Sequence, residues 1–390
     1  MSKSSPLTRT EFFLIAGILL IGANLRVPLT SVGALIPHIR EDLGINNTLA
    51  GSVTTLPLLA FAFLSPFAPQ LARRFGIERT LGFAMAVLLF GIALRSSAGV
   101  STLFMGTMLI GLAIAIGNVL IPAVVKLKFP LKVGLITGIY AVAMNIFGAL
   151  GSGVSVPIAN VGLGWKGSLA IWGLLTAVTL LLWFPQMSES KAATAPSQQQ
   201  GGSLWRSPLA WQVTLFMGCQ SLIYYTLITW LPDIFGAKGY SESTAGWLVF
   251  LMQVALIPVT FIVPFVAERF NNQVGMAAIV ATGFIIGISG LLLPASGFDV
   301  VGVILLGAAG GGSFGLSMMF FTLRTQTPRQ AAELSGMAQS AGYLFAASGP
   351  VLVGALQDIS GNWVVPIGML LAVALIVLIN GVAAGRERWV

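Results

Sequence analysis

Residues 48–75 read TLAGSVTTLPLLAFAFLSPFAPQLARRF, and residues 243–270 read STAGWLVFLMQVALIPVTFIVPFVAERF. At this offset of 195 residues the two stretches share Ala-Gly near their starts and Arg-Phe at their ends, without a gap. Each contains an apolar run of about 20 residues, the length at which a helix crosses about 30 Å of hydrocarbon. Chance similarity between apolar runs would not hold one register this long, so the stretches predict a membrane protein with an internal repeat.

The rest of the chain extends this repeat. A second register, at an offset of 198 residues, aligns Pro130 with Pro328, Gly138 with Gly336, Gly151 with Gly349 and Trp165 with Trp363. Of the 390 residues, 56% are hydrophobic and only 8% are charged. Soluble domains carry about 25% charged residues, so this chain has too few charges to cover a surface that faces water. The composition therefore excludes a soluble enzyme and a disordered chain.

Apolar runs of membrane-spanning length predict twelve transmembrane helices. Their approximate limits are 11–37, 48–69, 80–98, 102–125, 133–158, 167–184, 209–235, 245–266, 274–294, 300–323, 334–357 and 363–384. A polar stretch with the composition of a flexible linker separates the sixth run from the seventh. The predicted fold class is therefore all-α, with a six-helix half at residues 1–187, a cytoplasmic linker at 188–207 and a second six-helix half at 208–390.

The distribution of lysine and arginine orients the chain. With the amino terminus in the cytoplasm, most of the 20 basic residues fall in cytoplasmic segments, as the positive-inside rule requires. An even number of spans places both termini on that side, and we expect a multi-pass protein of the cytoplasmic (inner) membrane. The net charge of +8 is thus mainly a topology signal, and it predicts no nucleic-acid partner.

Motifs of enzymes and metal sites are missing from the sequence. The chain has no HExxH, GxSxG or phosphate-loop pattern, one histidine and one cysteine. We therefore expect no catalytic residues, no metal and no cofactor, and a protein that is not an enzyme. The histidine, His38, lies in a charged outer loop and is interpreted as a solvated residue.

Residues 69–79, PQLARRFGIER, resemble the Gly-x-Leu-Ala-Asp-Arg-x-Gly-Arg-Lys loop between spans two and three of the major facilitator superfamily. Arg73 stands where the family has aspartate, whereas the repeat of this loop keeps the acid as Glu268. The resemblance implies two six-helix halves related by an axis along the membrane normal, a substrate site near the midplane and alternating access. It also implies a gate latch on the cytoplasmic side.

The charged candidates for this latch are Arg73, Arg74, Glu268 and Arg269. In the alternative interpretation they are ordinary loop residues that obey the positive-inside rule.

A more selective resemblance lies in the first span. Residues 24–37, NLRVPLTSVGALIP, are similar to the first helix of the cyanate and 2-nitroimidazole transporter family, in which Asn-x-Arg is followed by Thr-Ser-Val-Gly. Overall length, span count and a short central linker agree over the whole chain. This resemblance implies transport of a small solute and leaves the identity of the solute open.

Arg26 is the one ionisable residue that the sequence places deep inside a span, away from helix ends. A lone guanidinium at that depth costs about 2.5–3.5 kcal/mol, so such residues usually face a cavity and serve function. No aspartate or glutamate lies at a comparable depth, and a guanidinium fork suits a carboxylate or small oxyanion. Arg26 is therefore predicted to anchor the solute. The alternative is an arginine satisfied by backbone carbonyls, such as that of Asn24, which Pro28 cannot bond.

Other polar residues fall at similar depth in spans that line the cavity of this fold. Besides Arg26, the predicted substrate-binding set is Asn24, Thr30, Asn118, Asn145, Gln220, Tyr224, Tyr225, Gln253, Gln339 and Tyr343. At the offset of 195, Ser221 takes the place of Arg26, so the cavity is predicted to be symmetric in backbone and asymmetric in chemistry. For each residue of the set, a hydrogen bond between helices is the alternative.

These observations predict a secondary active transporter that moves a small anionic or polar solute by alternating access. The expected partners are the solute, the lipid bilayer and a proton or counter-substrate for coupling, and the protein is expected to be a monomer. Export of neutral aromatic compounds or drugs, of the nitroimidazole type, is an alternative. A non-transporting receptor or scaffold is disfavoured because no loop is long enough to form a signalling domain.

Overall fold

The computed structural model describes residues 9–45, 47–97, 99–188, 204–295 and 297–390, whose regular structure is all helical. The α-helices in these ranges are α1 (Arg9–Asn24), α2 (Val27–Leu43), α3 (Asn47–Leu64), α4 (Ala68–Phe75), α5 (Ile77–Arg95), α6 (Val100–Lys128), α7 (Val133–Ile158), α8 (Gly164–Ala170), α9 (Trp172–Ser188), α10 (Pro208–Ala237), α11 (Glu242–Ala267), α12 (Val274–Gly290), α13 (Phe298–Leu323), α14 (Pro328–Ser360) and α15 (Val364–Ala384). The predicted all-α fold is confirmed.

Each of the predicted spans coincides with one of these helices or with two consecutive ones. In the described part of the chain, 7 helical segments are long and apolar enough to cross a membrane, or up to 8 if one bent pair crosses as a unit. That pair is Thr55–Leu64 and Ala68–Phe75, which meet at 57°. The count of twelve crossings and the side of the termini stay predictions.

Short polar residues and prolines set several helix starts. Ser207 precedes Pro208, and its hydroxyl accepts a hydrogen bond from the backbone N–H of Ala210 at 3.3 Å. Thr327 and Gln330 form a reciprocal capping box at the start of α14, where Pro328 takes the first helical position. Proline suits this position because the first N–H groups of a helix have no partner within the helix.

The first predicted span, residues 11–37, is divided into two helices. Leu25 and Arg26 form a turn between α1 and α2. Pro28 is the physical cause, because proline has no N–H for a helical hydrogen bond and its ring clashes with the preceding turn. The backbone N–H groups of Leu29 and Thr30 restart the helix by donating to the carbonyl of Arg26, at 3.0 and 3.2 Å.

The chain divides into two compact units, the first made of Met1–Ala60, Phe67–Ile121 and Ala143–Ser197, the second of Phe61–Pro66, Pro122–Val142 and Gln198–Val390. Their boundaries fall inside α3, α6 and α7. They differ from the predicted halves 1–187 and 208–390, which stay a prediction. Most of the predicted linker at 188–207 lies outside the described residues.

In the first unit, α1, α5 and α9 pack around Trp183. This side chain is fully buried, and its indole N–H donates to the carbonyl of Glu78 at 2.9 Å. A Cβ on Gly17 would lie 2.7 Å from the indole ring, so only glycine lets α1 approach α9 this closely. A satellite core of Val32, Leu35 and Ile39 packs nearer the end of α2.

In the second unit, α11 and α13 pack closely along a face of glycines. A Cβ on Gly315 would lie 2.9 Å from the ring of Pro264, and Gly307 and Gly311 contact the backbone of α11. Arg324 ties the end of α13 to the end of α15 by donating to the carbonyls of Ala384 and Gly385, at 2.7 and 2.9 Å. Burial lowers the pKa of Arg324 to about 10.

Candidate functional site

Arg26 lies at the turn between α1 and α2, where its side chain is half-buried. The turn places it just before the amino-terminal end of α2, with φ −118° and ψ −46°. In α2 the N–H groups of Leu29 and Thr30 already donate to the carbonyl of Arg26 and Pro28 has none, so the helix start contributes the positive end of its dipole. The guanidinium and the start of α2 thus bring positive potential to the same place.

A close approach of α7 fixes the stem of Arg26. A Cβ on Gly148 would lie 2.6 Å from Cγ of Arg26, and one on Gly151 would lie 2.7 Å from the hydroxyl oxygen of Thr30. Ser152, on the same face of α7, donates to the carbonyls of Gly148 and Thr30 at 3.4 and 3.5 Å. Small residues on α7 therefore form the surface against which Arg26 and Thr30 rest.

Two predicted asparagines lie on the helices that approach this turn. Asn145 is one helical turn before Gly148 on α7, so both are on the same face. Asn118 follows Gly117 on α6, and Gly117 contacts the side chain of Leu25. Both asparagine side chains are half-buried. In the first unit, α6 and α7 thus contact the turn through Gly117 and Gly148, and Asn118 and Asn145 lie within one helical turn of these glycines.

Asn24 belongs to a different environment. Its amide N–H group donates to the carbonyl of Leu20 and the hydroxyl of Thr179, both at 2.8 Å, and its amide oxygen accepts from Thr176 at 2.5 Å. The side chain is completely buried against α9. These bonds use the amide for helix packing, so we leave Asn24 out of the proposed site.

The second unit holds a buried polar cluster on α10 and α13. The amide N–H of Gln220 donates to Ser221 at 2.8 Å, and its amide oxygen accepts from Ser313 at 3.3 Å. One turn further along α10, the hydroxyl of Tyr224 donates to the amide oxygen of Gln253 at 3.1 Å. Gln220 and Tyr224 share a helix face, as the sequence predicted. Ser313 was missed because it directly follows the glycine run Gly310–Gly312, which was interpreted as a packing or bending element.

The remaining predicted residues of this unit form aromatic and polar pairs. The rings of Tyr224 and Tyr225 meet edge to face with centroids 5.4 Å apart. The ring of Tyr343 lies 5.1 Å from that of Phe61. Gln339 is buried and donates to the hydroxyl of Ser335 at 3.0 Å.

The predicted latch residues lie at the ends of α4 and α11. Arg73 and Arg74 are exposed in the last turn of α4. Arg269 is also exposed and lies over the ring of Phe265, 4.2 Å from its centroid. A Cβ on Gly134 would lie 2.8 Å from a carboxylate oxygen of Glu268, which places this acid at the amino-terminal end of α7. The sequence pointed to Glu268 but not to this partner.

Two basic residues were missed as functional candidates. The ammonium of Lys126, at the end of α6, donates to the carbonyls of Thr322 and Thr325 at the end of α13. Arg95 lies near the end of the predicted span 80–98. It is 1% exposed, and its guanidinium donates to the carbonyl of Pro28 at 2.6 Å. Neither contact has a sequence signal, because each joins spans far apart in the chain.

A model of the Major Facilitator Superfamily matches residues 12–350. The chain is 45% identical over 382 residues to the uncharacterized transporter YycB of Bacillus subtilis (strain 168), covering 97% of this chain and 95% of that one. It is 42% identical over 392 residues to the 2-nitroimidazole transporter of Escherichia coli (strain K12), covering 100% and 99%. Identity to the cyanate transport protein CynX of the same organism is 26% over 348 residues, covering 89% and 90%.

A solved structure agrees with this assignment at the level of the fold. The proton:xylose symporter XylE superposes with a TM-score of 0.76, covering 96% of this chain and 94% of that chain, at 14% identity. The matching family and the named relatives are transporters of small solutes in membranes. On these grounds the chain belongs to the major facilitator superfamily, in the family of the 2-nitroimidazole and cyanate transporters, and is a multi-pass protein of the inner membrane.

Proposed function

We propose that this transporter moves a small anionic or strongly polar solute by alternating access, with Arg26 as the anchor of the solute. The observation that carries the proposal is the position of Arg26, half-buried at a helix break inside a predicted span. Such breaks are where transporters of several folds bind the charged groups of their substrates. A guanidinium group beside the start of a helix favours binding of a carboxylate or a small oxyanion.

Thr30, Asn118 and Asn145 support this proposal from the same unit. Their hydroxyl and amide groups can donate to an anion or accept from a hydroxyl on the solute. In the second unit, Gln220 is bonded to Ser221 and Ser313, and Tyr224 is bonded to Gln253. These groups can orient a solute only by exchanging partners. At the offset of 195 residues, the repeat has the neutral Ser221 in place of Arg26.

Glu268 is proposed as the acid of a latch that operates during alternating access. Its carboxylate lies at the start of α7, where unpaired N–H groups attract negative charge. Arg73, Arg74 and Arg269 stay proposed partners of the latch, because they are exposed basic residues of the same loop repeat. Coupling is proposed to use exchange or a proton carried by the solute, since the sequence places no aspartate or glutamate deep inside a predicted span, away from its ends.

Export of neutral aromatic compounds is the second candidate function. The paired rings of Tyr224 and Tyr225 and of Phe61 and Tyr343 favour it, because aromatic side chains can stack on a planar solute. The relative named as a 2-nitroimidazole transporter also favours an aromatic solute.

A comparison of charged and neutral solutes by thermal shift tests the proposal. We expect cyanate or benzoate to raise the melting temperature of the purified protein, and the neutral isostere benzamide to have a much smaller effect. Arg26→Gln should weaken anion binding at least about 30-fold, because it removes a half-buried charge partner of the anion. Binding of neither anion, or equal binding of benzoate and benzamide, would contradict the proposal and favour the aromatic alternative.

A further inference from the structure

We propose that Arg95 is a positioning and specificity-determining residue of the site around Arg26, an inference that rests on the proposed function. Arg95 holds the backbone of the helix break, and its charge, which no described acidic residue balances, makes the break selective for anions. No feature of the sequence separates it from the basic residues of span ends.

The first observation is the contact between Arg95 and the break. Arg95 is the last residue of α5, and one of its terminal N–H groups donates to the carbonyl of Pro28 at 2.6 Å. Pro28 lies two residues after Arg26, in the first turn of α2. A Cβ on Gly106 would lie 2.6 Å from Cα of Arg95, so α6 packs directly against this residue. Movement of Arg95 is thus restricted, and the carbonyl that it holds is close in sequence to the anchor.

The second observation is that no residue in the described part of the chain balances the charge of Arg95. Among the described residues its guanidinium bonds only Pro28, and its Nε and second terminal nitrogen have no hydrogen-bond partner. Ser31, one helical turn after Pro28, is also buried with an unbonded hydroxyl. A buried cation without a partner is costly, and an anion bound at the break would lower that cost. The two features point to a ligand that supplies negative charge.

The second half of the repeat provides an internal comparison. There, the partly buried Lys238 pairs with the buried Asp299 at 2.6 Å, while Tyr240 donates to the other oxygen of Asp299 at 2.9 Å. Lys238 also donates to the carbonyl of Gly290 at 3.3 Å, and Gly290 is the repeat counterpart of Arg95 at the offset of 195. The second copy therefore neutralises its cation within the protein, whereas the first copy leaves Arg95 without a carboxylate among the described residues.

Kinetics of uptake separate this role from a purely structural one. In proteoliposomes with radiolabelled cyanate and benzoate, Arg95→Gln should raise KM at least about tenfold, because a fixed charge near the bound anion is lost. The maximal rate per folded protein should change less than about twofold. Arg95→Lys, which keeps the charge, should restore KM to within about threefold of wild type. As a matched control, the double variant Lys238→Gln with Asp299→Asn removes a balanced pair and should leave KM unchanged.

A second variant keeps the test valid if Arg95→Gln does not fold. Ser31→Asp leaves Arg95 in place and introduces a carboxylate one turn from Pro28, so it should raise KM for both anions. An unchanged KM in Arg95→Gln, or a lower maximal rate at constant KM that Arg95→Lys does not restore, would overturn the proposal. If Arg26→Gln still abolishes anion binding in that case, the proposed function stands without this inference.

Discussion

Asn24 and Arg26 are two residues apart, yet their side chains lie in different environments. Asn24 is buried among Leu20, Thr176 and Thr179 with its donors and acceptor bonded, whereas Arg26 is half-buried at the turn. The sequence places both polar residues inside one apolar span, and helical spacing puts them on different stripes of it. Only the packing of the helices shows that the stripe of Asn24 meets α9, whereas that of Arg26 meets α7.

Removing the amide of Asn24 should therefore affect stability and spare binding. We expect Asn24→Ala to lower the free energy of unfolding by about 1–3 kcal/mol, because it leaves buried groups of α9 without partners. Affinity for cyanate or benzoate should stay within about twofold of wild type. Thermal unfolding and anion binding, measured on the same preparation, check this. A large loss of affinity without a loss of stability would return Asn24 to the binding set.

Arg26 could be predicted because a charge deep in an apolar run is visible in the sequence. Arg95 could not, since it ends a helix and looks like an interfacial residue. Only the fold brings its guanidinium to the carbonyl of Pro28.

Between α7 and α2, glycine spacing determines how close the two helices lie. Gly148 and Gly151 face the break, whereas Gly153 faces open space, with no atom within 4 Å of an added Cβ. The sequence showed the cluster of glycines in span five. It did not show which of them contact another helix, because that depends on the rotation of α7.

This difference provides a matched pair of substitutions on one helix. Gly148→Ala should displace the stem of Arg26 and reduce anion affinity about tenfold, because a shift of about 1 Å misplaces the guanidinium. Gly153→Ala should bind normally and gain up to about 1 kcal/mol of stability, as helix interiors favour alanine. Binding and melting measurements on both variants check the prediction. Equal effects of the two substitutions would contradict the contact between α7 and Arg26.

The positions of the helices were easier to predict than the places where a helix breaks. Apolar runs of membrane-spanning length gave the positions of the helices, since length and hydropathy are properties of the sequence itself. The breaks at Arg26 and near Ser65 depend on how Pro28 and Pro66 are accommodated by neighbouring helices. Many other prolines, such as Pro122 in α6, lie inside continuous helices.

At the scale of the molecule, the sequence repeat carries different charges in its two copies. The loop repeat has Arg73 in one copy and Glu268 in the other, and among the described residues an acidic partner is found for Lys238 but not for Arg95. The alignment of the two copies predicted a shared backbone and showed that Ser221 replaces Arg26 in the second copy. It could not predict where Glu268 would bind, because Gly134 lies more than a hundred residues away in sequence.

Neutralising Glu268 should slow transport and leave solute binding intact. We expect Glu268→Gln to lower the maximal uptake rate about two- to fivefold, because the start of α7 loses a favourable charge. KM should change less than about twofold. Glu333→Gln is the control, since Glu333 forms a surface ion pair with Arg329 at 2.9 Å that contributes little. A raised KM with an unchanged rate would place Glu268 in binding and contradict the latch.

A transport assay tests whether Arg26 anchors the solute. It measures the uptake of radiolabelled benzoate and cyanate into proteoliposomes that contain wild type, Arg26→Lys or Arg26→Gln. If Arg26 anchors an anion, wild type accumulates label, Arg26→Lys keeps part of the uptake, and Arg26→Gln loses it at least about 30-fold while remaining folded. If uptake by Arg26→Gln equals that of wild type, Arg26 does not anchor the solute.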